Sequence, residues 1–327
     1  MSEVQKVLVT GGAGFIGSHV VDCLVNDACG VRIIDNLSTG KLMNINSHLG
    51  KGAVDFVKGD IRDPELVRKC VHDVDAVVHL AAITSVPFSF KQPQLTYETN
   101  VNGTLNLLNA CAEEKVEKFI FISSCSVYGE PKYLPVDELH STNPISPYAE
   151  SKLVGERCCL NFHKKHALKS VVLRLFNVYG SRQGINDYSG VITKFIDSIK
   201  QKMPLIIFGD GSQNRDFVNV DDVSQAVLHA LKNETAEGEI FNIGCGAPTS
   251  INELAKSVLE LADSNLDIFY KKPRSGDIKN TFANISKAIK LLDYKPHFSL
   301  EAGLNNLFSA GSKFQIETEV HSVIPHV

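Results

Sequence analysis

The chain has 327 residues, enough to bury a sizeable core as one large domain or as two of modest size. Its formal net charge is −4 and its basic residues are scattered, which argues against a protein that binds nucleic acid or a membrane surface. No apolar run approaches the roughly 20 residues that span a bilayer. The N-terminus leads directly into a predicted strand, so neither a membrane span nor a signal peptide is expected.

The first predicted element is a buried strand at residues 6–10, followed by a glycine-rich segment and an amphipathic helix at 18–26. Gly11, Gly14 and Gly17 suit a tight turn, close approach of the backbone to a pyrophosphate, and contact between helix and strand, respectively. The helix N-terminus offers free N–H groups and partial positive charge to the phosphates. This segment therefore predicts that the chain binds a dinucleotide.

A second predicted strand, at residues 30–34, ends in Asp35. Asp35 lies eighteen positions after Gly17, where an acidic side chain can accept hydrogen bonds from the ribose hydroxyls of an adenosine. The same carboxylate would repel a 2′-phosphate. The predicted cofactor is therefore NAD rather than NADP.

Strand-like and helical patterns then alternate through the first half of the chain. The predicted strands are at residues 54–58, 76–80, 119–123 and 171–175, and the predicted helices are at 64–71, 94–113 and 148–165. This alternation indicates an α/β fold with a Rossmann-type doubly wound parallel sheet, covered by helices on both faces. Such sheets bind ligands beyond the carboxyl ends of their strands. Polar clusters occur there, at residues 59–61, 80–82, 123–126 and 177.

The alternation becomes less regular after Asn177, where shorter helices are predicted at 191–201, 251–261 and 286–292. We expect a NAD-binding Rossmann domain over residues 1–176 and a smaller α/β C-terminal lobe, mainly for substrate, over residues 177–327. Residues of about 220–245 are expected to return to the large sheet. The tail at 311–327 is expected to be peripheral or mobile.

The eight cysteines show no CxxC pair and no ordered spacing. In a chain without a secretion signal such cysteines are usually reduced and buried, so we expect a cytoplasmic protein. His163 and His166 lie near Cys158 and Cys159, but no further ligand follows at matching spacing, and no metal site is expected.

Tyr148 and Lys152 are four positions apart on a predicted helix, and therefore on one face of it. A tyrosine with a pKa near 10 needs a lowering of roughly three units, about 4 kcal/mol, to act as a base at neutral pH. A lysine ammonium about 4 Å away supplies that much at an effective dielectric constant near 20. With Ser124 at the end of a predicted strand, this pair predicts a catalytic site.

Ten motifs stand out along the chain: TGGAGFIG (10–17), DNLSTG (35–40), GDIRD (59–63), HLAA (79–82), NVNGT (100–104), SSCSVYG (123–129), SPYAESK (146–152), RLFNVYG (174–180), RDFVNVDDV (215–223) and RSGD (274–277). Together they resemble the extended short-chain dehydrogenases. Among these, the nucleotide-sugar 4-epimerases that act on UDP-glucose and UDP-N-acetylglucosamine are the most similar. The resemblance extends from Lys6 to about Leu307.

The resemblance implies a role for each residue of the catalytic trio. Ser124 would hydrogen-bond the reacting sugar oxygen, and Tyr148 would remove the 4-hydroxyl proton while hydride passes from C4 to NAD. Lys152 would hold the cofactor ribose and lower the tyrosine pKa. The 4-keto sugar would turn over in the site and receive the hydride on its other face, so NAD would stay bound.

The resemblance also assigns contacts to both ligands. The residues expected to contact NAD are Gly11, Gly14, Phe15, Ile16, Gly17, Asp35, Asn36, Ser38, Thr39, Gly40, Asp60, Ile61, Leu80, Ala81, Ala82, Thr84, Asn100, Tyr148, Lys152 and Phe176. The residues expected to contact the UDP-sugar are Thr84, Ser85, Ser124, Cys125, Ser126, Tyr148, Asn177, Gly190, Val191, Ile207, Phe208, Arg215, Arg274, Asp277 and Thr281. Arginine suits a diphosphate because its planar fork donates two parallel hydrogen bonds.

The same family contains 4,6-dehydratases and decarboxylases, which the residues after Ser124 disfavour. The dehydratases resemble this chain but carry an Asp-Glu pair in place of Cys125-Ser126, and the decarboxylases keep a glutamate at Ser126. Elimination of water needs an acid and a base at those points, and neither a thiol nor a hydroxyl fits. A ketose reductase and a non-catalytic NAD-sensing protein remain alternatives, although the intact catalytic trio disfavours the sensor.

Small residues are expected around the sugar: Thr84, Ser85, Cys125, Gly190 and Thr281. Thr281 resembles the position of a gate, where a tyrosine restricts related epimerases to glucose and galactose. A threonine leaves room for an N-acetyl group at C2, so UDP-GlcNAc and UDP-GalNAc are expected substrates beside UDP-glucose and UDP-galactose. UDP-glucuronate remains an alternative, disfavoured because no Lys or Arg of the local motifs obviously faces C6.

The resemblance further implies a homodimer, in which the helices at 94–113 and 148–165 pack against their symmetry mates. The sequence adds only apolar positions in these helices: Leu105, Leu108, Leu153 and Leu160.

Overall fold

The computed structural model describes residues 5–50, 52–184, 190–273 and 278–314. Its strands are β1 (Lys6–Thr10), β2 (Gly30–Asp35), β3 (Val54–Lys58), β4 (Ala76–His79), β5 (Lys118–Ser124), β6 (Lys169–Leu175), β7 (Asn177–Tyr179), β8 (Leu205–Phe208), β9 (Asn214–Asn219), β10 (Ile240–Ile243), β11 (Pro248–Ser250), β12 (Ile268–Lys271) and β13 (Asn280–Thr281). Its α-helices are α1 (Phe15–Asn26), α2 (Pro64–Val71), α3 (Val86–Lys91), α4 (Pro93–Tyr97), α5 (Gly103–Glu113), α6 (Pro147–His166), α7 (Val191–Lys200), α8 (Val220–Lys232), α9 (Ile251–Leu261), α10 (Ser286–Leu292) and α11 (Leu300–Phe314). Among these helices, none has the length and apolar character to cross a bilayer.

Seven of the described strands form one sheet in the order β10-β6-β5-β4-β1-β2-β3, and every neighbouring pair is parallel. The inner strands are continuous apolar runs because both faces of the sheet are covered, and all four residues of β4 are buried. β10 pairs with β6, so the chain returns to this sheet late in the sequence. The predicted doubly wound parallel sheet is confirmed.

Helices cover both faces of the large sheet. On one face α1 and α8 pack together, and their Val20, Leu24 and Val227 are at most 1% exposed. On the other face α2 packs against α5, with α6 beside them, and Leu108 and Cys159 are completely buried. The carboxyl ends of all seven strands therefore meet at one edge of a three-layer structure.

A smaller lobe has its own core, with Phe195, Leu205, Leu254 and Val258 buried together. β9 pairs with β7, β11 and β13, while β8 pairs with β12. The sequence analysis predicted helices in this region but none of its six strands. These strands contain only two to six residues, too few to show a clear alternation of polar and apolar positions.

The predicted helix at 94–113 is interrupted. A π-helical turn, Glu98–Asn102, joins α4 to α5. Within it Asn100 is buried and donates to the Ile83 carbonyl and to Ser151 Oγ, both at 2.9 Å. These partners lie elsewhere in the chain, so helical periodicity could not show the interruption.

Three helices were not predicted, α3, α8 and α11. Helix α11 continues to Phe314, so the tail expected to be peripheral begins inside a helix. Two of the apolar positions proposed for dimer contacts, Leu108 and Leu153, are buried within the single chain. Leu105 and Leu160 remain partly exposed. All eight cysteines carry free thiols.

Candidate active site

A cavity of about 770 Å³ lies at the carboxyl ends of the large-sheet strands. Its wall contains most of the residues assigned to NAD: Gly11, Gly14, Phe15, Ile16, Gly17, Asp35, Asn36, Ser38, Thr39, Asp60, Ile61, Leu80, Ala81, Ala82, Thr84, Tyr148, Lys152 and Phe176. Ser85, Ser124 and Gly190, assigned to the sugar, line the same cavity. The fold thus brings the two expected binding sites into one space.

The glycine-rich turn between β1 and α1 has no room for side chains. Gly11 has φ +71°, and a Cβ on it would lie 2.9 Å from the Ala81 nitrogen. A Cβ on Gly17 would overlap the carbonyl oxygen of Gly11. α1 begins directly after Gly14, and no side chain caps its first N–H groups. This bare turn fits the phosphates of a dinucleotide, which can approach the backbone closely.

Asp35 ends β2 and lies in the cavity wall. Its carboxylate accepts hydrogen bonds from Leu37 N at 2.8 Å and from Ala13 N at 3.0 Å, while burial raises its pKa. Gly40 does not line the cavity but packs against this carboxylate, where a Cβ would lie 2.8 Å from Oδ2. An ionised carboxylate has about four acceptor positions, so Asp35 can still accept from ribose hydroxyls.

Asp60 is the centre of a polar cluster in the same wall. It accepts hydrogen bonds from Arg62 Nε at 2.9 Å and from Asn36 Nδ2 at 3.0 Å. The Arg62 guanidinium holds the pKa of Asp60 well below its usual range. Asp60 therefore stays ionised and fixes the amide of Asn36, so both side chains are oriented before any ligand binds.

The three predicted catalytic residues line the cavity together. Ser124 is the last residue of β5. Tyr148 is in the first turn of α6, which Ser146 caps by accepting a hydrogen bond from Ala149 N at 3.2 Å. Lys152 follows one turn later, with its Nζ donating to the Ile122 carbonyl at 2.9 Å. The end of β5 and the first turns of α6 thus place the three side chains in the wall of the same cavity.

Burial shifts the pKa values of the tyrosine and the lysine in opposite directions. It raises the pKa of Tyr148 to about 12, although a hydrogen bond with Ser124 acts to lower it. It lowers the pKa of Lys152 to about 8. Desolvation is the largest effect on the phenol, and the Lys152 ammonium donates a hydrogen bond to the Ile122 carbonyl. The lowering of the tyrosine pKa by Lys152 therefore stays a prediction.

Two predicted ligand contacts lie in the protein interior instead. Asn100, assigned to NAD, is 2% exposed and holds the Ile83 backbone and Ser151. Ile207, assigned to the sugar, is 1% exposed in the core of the smaller lobe. Neither residue lines the cavity, because Asn100 is engaged in hydrogen bonds and Ile207 packs in a core. Sequence motifs do not reveal such contacts.

A second cavity, of about 110 Å³, shares part of its wall with the first. Asn177, Gly190 and Val191 line it, together with Gln183 and Phe217. Three residues assigned to the substrate therefore meet beside the main cavity.

The remaining substrate assignments within the described residues line neither cavity. Cys125 and Ser126 form a short 3₁₀ turn after Ser124, and Ser126 Oγ is buried without a hydrogen-bond partner in the described structure. Arg215 and Thr281 are register partners in β9 and β13. Phe208 ends β8. Arg274 and Asp277 lie outside the described residues.

The cavity wall also contains polar residues that were not predicted: Lys41, Asn44, Arg62, Thr99, Arg182 and Gln183. Arg62 belongs to the GDIRD motif, and Arg182 lies just after RLFNVYG, so proximity to the motifs was the available signal. These two cations therefore line the cavity, and the expectation that no Lys or Arg of the local motifs faces C6 of the sugar stays a prediction. Both arginines are engaged in ion pairs, Arg62 with Asp60 at 2.8 Å and Arg182 with Asp22 at 2.7 Å.

In the described part of the chain, no group of three His, Cys, Asp or Glu side chains could hold a metal ion.

Comparison with known proteins agrees with this geometry. The model of the NAD dependent epimerase/dehydratase family matches residues 7–244. A putative UDP-glucose 4-epimerase of Methanocaldococcus jannaschii is 43% identical over 303 residues, covering 92% of this chain and 96% of that protein.

Two solved structures are also similar. A UDP-glucose 4-epimerase of Thermotoga maritima with UDP-glucose has a TM-score of 0.90 and 39% identity, covering 95% of this chain and 100% of that one. A UDP-glucuronic acid 4-epimerase of Bacillus cereus, in complex with UDP-glucuronic acid and NAD, has a TM-score of 0.89 and 37% identity, with coverage of 95% and 100%.

Proposed function

We propose that this chain, which belongs to the NAD-dependent epimerase/dehydratase family, inverts C4 of UDP-glucose and UDP-galactose and of their N-acetylated counterparts. The observation that supports this most directly is the meeting of Ser124, Tyr148 and Lys152 in the cavity that also contains the glycine-rich turn. A bound NAD and a sugar in this space would both be within reach of the same three side chains.

When bound, NAD supplies the acceptor and donor of hydride for C4 of the sugar. Tyr148 takes the proton of the 4-hydroxyl and later returns one to the 4-keto oxygen. Ser124 hydrogen-bonds that oxygen in both states, which holds it beside the phenol. Protonated Lys152 stabilises the phenolate, because opposite charges attract strongly in a buried site.

The residues beside the trio favour epimerisation over elimination or loss of a carboxyl group. Burial raises the pKa of Cys125 to about 12, so its thiol stays neutral. Ser126 is not an acid at neutral pH. No general acid and base pair is therefore available at these two positions for loss of water from the sugar.

UDP-glucuronate is a second candidate substrate. Arg62 and Arg182 line the cavity, and a carboxylate at C6 would need a cation. The similarity to the Bacillus cereus enzyme points the same way. Against it, both guanidinium groups are already paired with carboxylates of the chain, so the uronate would have to compete with Asp60 or Asp22.

The deciding experiment is an NMR assay of UDP-glucose, UDP-galactose, UDP-GlcNAc, UDP-GalNAc and UDP-glucuronate without added cofactor. We expect inversion at C4 of the first four, in both directions, and little reaction of the uronate. Turnover of the uronate alone would contradict the proposal. Loss of a 6-hydroxyl or a carboxyl group would indicate dehydratase or decarboxylase chemistry instead.

A variant at Thr281 extends the same assay to the proposed gate. Thr281 is 7% exposed beside Arg215, so added bulk must displace neighbouring groups. We expect Thr281→Tyr to suppress the N-acetylated substrates and to spare glucose and galactose, whereas Thr281→Val, which keeps the volume, should change neither. Equal losses on all four sugars would show that Thr281 is not the gate.

A further inference from the structure

Two segments of the main cavity wall lie outside the large sheet and its helices. One contributes Lys41 and Asn44, and the other contributes Arg182, Gln183 and Gly184. Apart from the 3₁₀ turn Leu42–Asn44, the described parts of these segments have no regular hydrogen-bonded structure. Contacts with other parts of the molecule must therefore hold them against the cavity.

Asp22, in α1, connects the two segments. Its Oδ1 lies 2.6 Å from His48 Nε2, at the end of the first segment, and its Oδ2 lies 2.7 Å from Arg182 Nη2, in the second. The three side chains are 27%, 17% and 29% exposed, respectively. Because these groups are partly shielded from water, their attraction is less screened than that of a fully exposed pair.

Other contacts to α1 and the turn before it hold only one segment each. Lys41 N and Asn44 Nδ2 donate to the Ala13 carbonyl at 2.9 and 2.8 Å. His19 Nε2 lies 3.1 Å from the Ser181 carbonyl oxygen. Among the contacts of the described residues, Asp22 is therefore the side chain that touches both segments.

We propose that Asp22 is a latch that retains NAD in the cavity. Its bridges to His48 and Arg182 stabilise the arrangement in which both segments contact the cofactor space, and release of the dinucleotide requires those segments to separate. Asp22 and His48 do not line the cavity, so they act as positioning residues rather than as ligands of NAD. The proposal concerns retention of the cofactor and is independent of the sugar that is turned over.

The test is the rate at which bound NAD exchanges with free NAD. Holoenzyme is incubated with excess deuterium-labelled NAD, desalted at intervals and denatured, and the released NAD is analysed by mass spectrometry. Loss of the ion pair with Arg182 and of the hydrogen bond with His48 in Asp22→Ala should speed the exchange roughly tenfold. His48→Ala removes the contact with Asp22 and changes no residue that lines the cavity. This variant should speed the exchange of NAD roughly threefold.

Asp27→Ala is the matched control. Asp27 caps the C-terminus of α1, is also 27% exposed, and pairs with Lys232 at 2.6 Å, a residue that does not line the cavity. Its exchange rate should equal that of the wild type. The latch is wrong if Asp22→Ala and His48→Ala both exchange at the wild-type rate, or if Asp27→Ala is equally fast. Should Asp22→Ala fail to fold by circular dichroism, His48→Ala decides alone.

Discussion

At the scale of single residues, burial acts on the charged forms of both Tyr148 and Lys152. Burial disfavours both the phenolate and the ammonium, which is why the pKa of Tyr148 rises to about 12 and that of Lys152 falls to about 8. A phenolate next to an ammonium is far less costly than either charge alone in a buried site. As the pH rises through the pKa of Lys152, this lysine loses its charge, and we expect the proposed support for the tyrosine base to be lost with it.

The first prediction concerns Tyr148. Tyr148→Phe removes the group that accepts the 4-hydroxyl proton, so turnover should fall by about 10²-fold or more. Bound NAD and the unfolding temperature should stay unchanged, because only one oxygen atom is lost. The control is Tyr133→Phe, at a side chain that is 47% exposed and bonded to Asp137. A Tyr148→Phe protein with more than roughly a tenth of wild-type activity would exclude Tyr148 as the base.

At the scale of elements, a buried ion pair joins α6 to the end of the large sheet. Glu156 accepts hydrogen bonds from Arg174 Nε at 2.9 Å and from Ser123 Oγ at 2.5 Å, and both charged side chains are at most 4% exposed. Glu156 follows Lys152 by one helical turn, and Ser123 precedes Ser124. The pair therefore fixes α6, which carries Tyr148 and Lys152, against β6, and the Ser123 hydrogen bond fixes it against β5, which carries Ser124.

Removing one partner of this pair should be strongly destabilising. Glu156→Ala leaves the Arg174 charge buried without its partner, so the free energy of unfolding should fall by about 3–5 kcal/mol. The control, Glu117→Ala, breaks the partly exposed pair with Lys169 and should cost no more than about 1 kcal/mol. Urea unfolding followed by circular dichroism measures both. Equal losses in the two variants would mean that the buried pair adds no special support.

At the scale of the whole molecule, the cavity is completed by residues from both halves of the chain. Val178, Gln183 and Gly190 contribute to its wall beside the glycine-rich turn and the catalytic trio. The division into a NAD-binding domain over residues 1–176 and a substrate lobe over residues 177–327 stays a proposal, and β10 shows that no single cut separates the two.

The predicted homodimer also belongs to this scale. Leu108 and Leu153 are used inside the single chain, so an interface made by α5 and α6 would have to use Leu105, Leu160 and the exposed polar residues around them. Light scattering at micromolar concentration should give the mass of two chains, and Leu160→Lys should shift it toward one. Leu139→Lys, at a residue that is 93% exposed, is the control. A wild-type monomer would refute the prediction.

Sequence alone was sufficient where structure depends on neighbouring residues. The glycine spacing at 11, 14 and 17 predicted the bare turn, and apolar runs located the first six strands of the large sheet to within two residues at either end. The spacing of Tyr148 and Lys152 placed both on one face of α6. These features follow from the period of a helix or strand and from the steric freedom of glycine, which are local properties.

Only the tertiary structure decided which side chains are free to act. It placed Arg182 in the cavity wall and paired it with Asp22, buried Asn100 and Ile207 away from both cavities, and set the pKa shift of Tyr148 by burial. It also assembled the short strands of the smaller lobe. Each of these outcomes depends on contacts between residues far apart in the chain, whose desolvation and pairing no local pattern encodes.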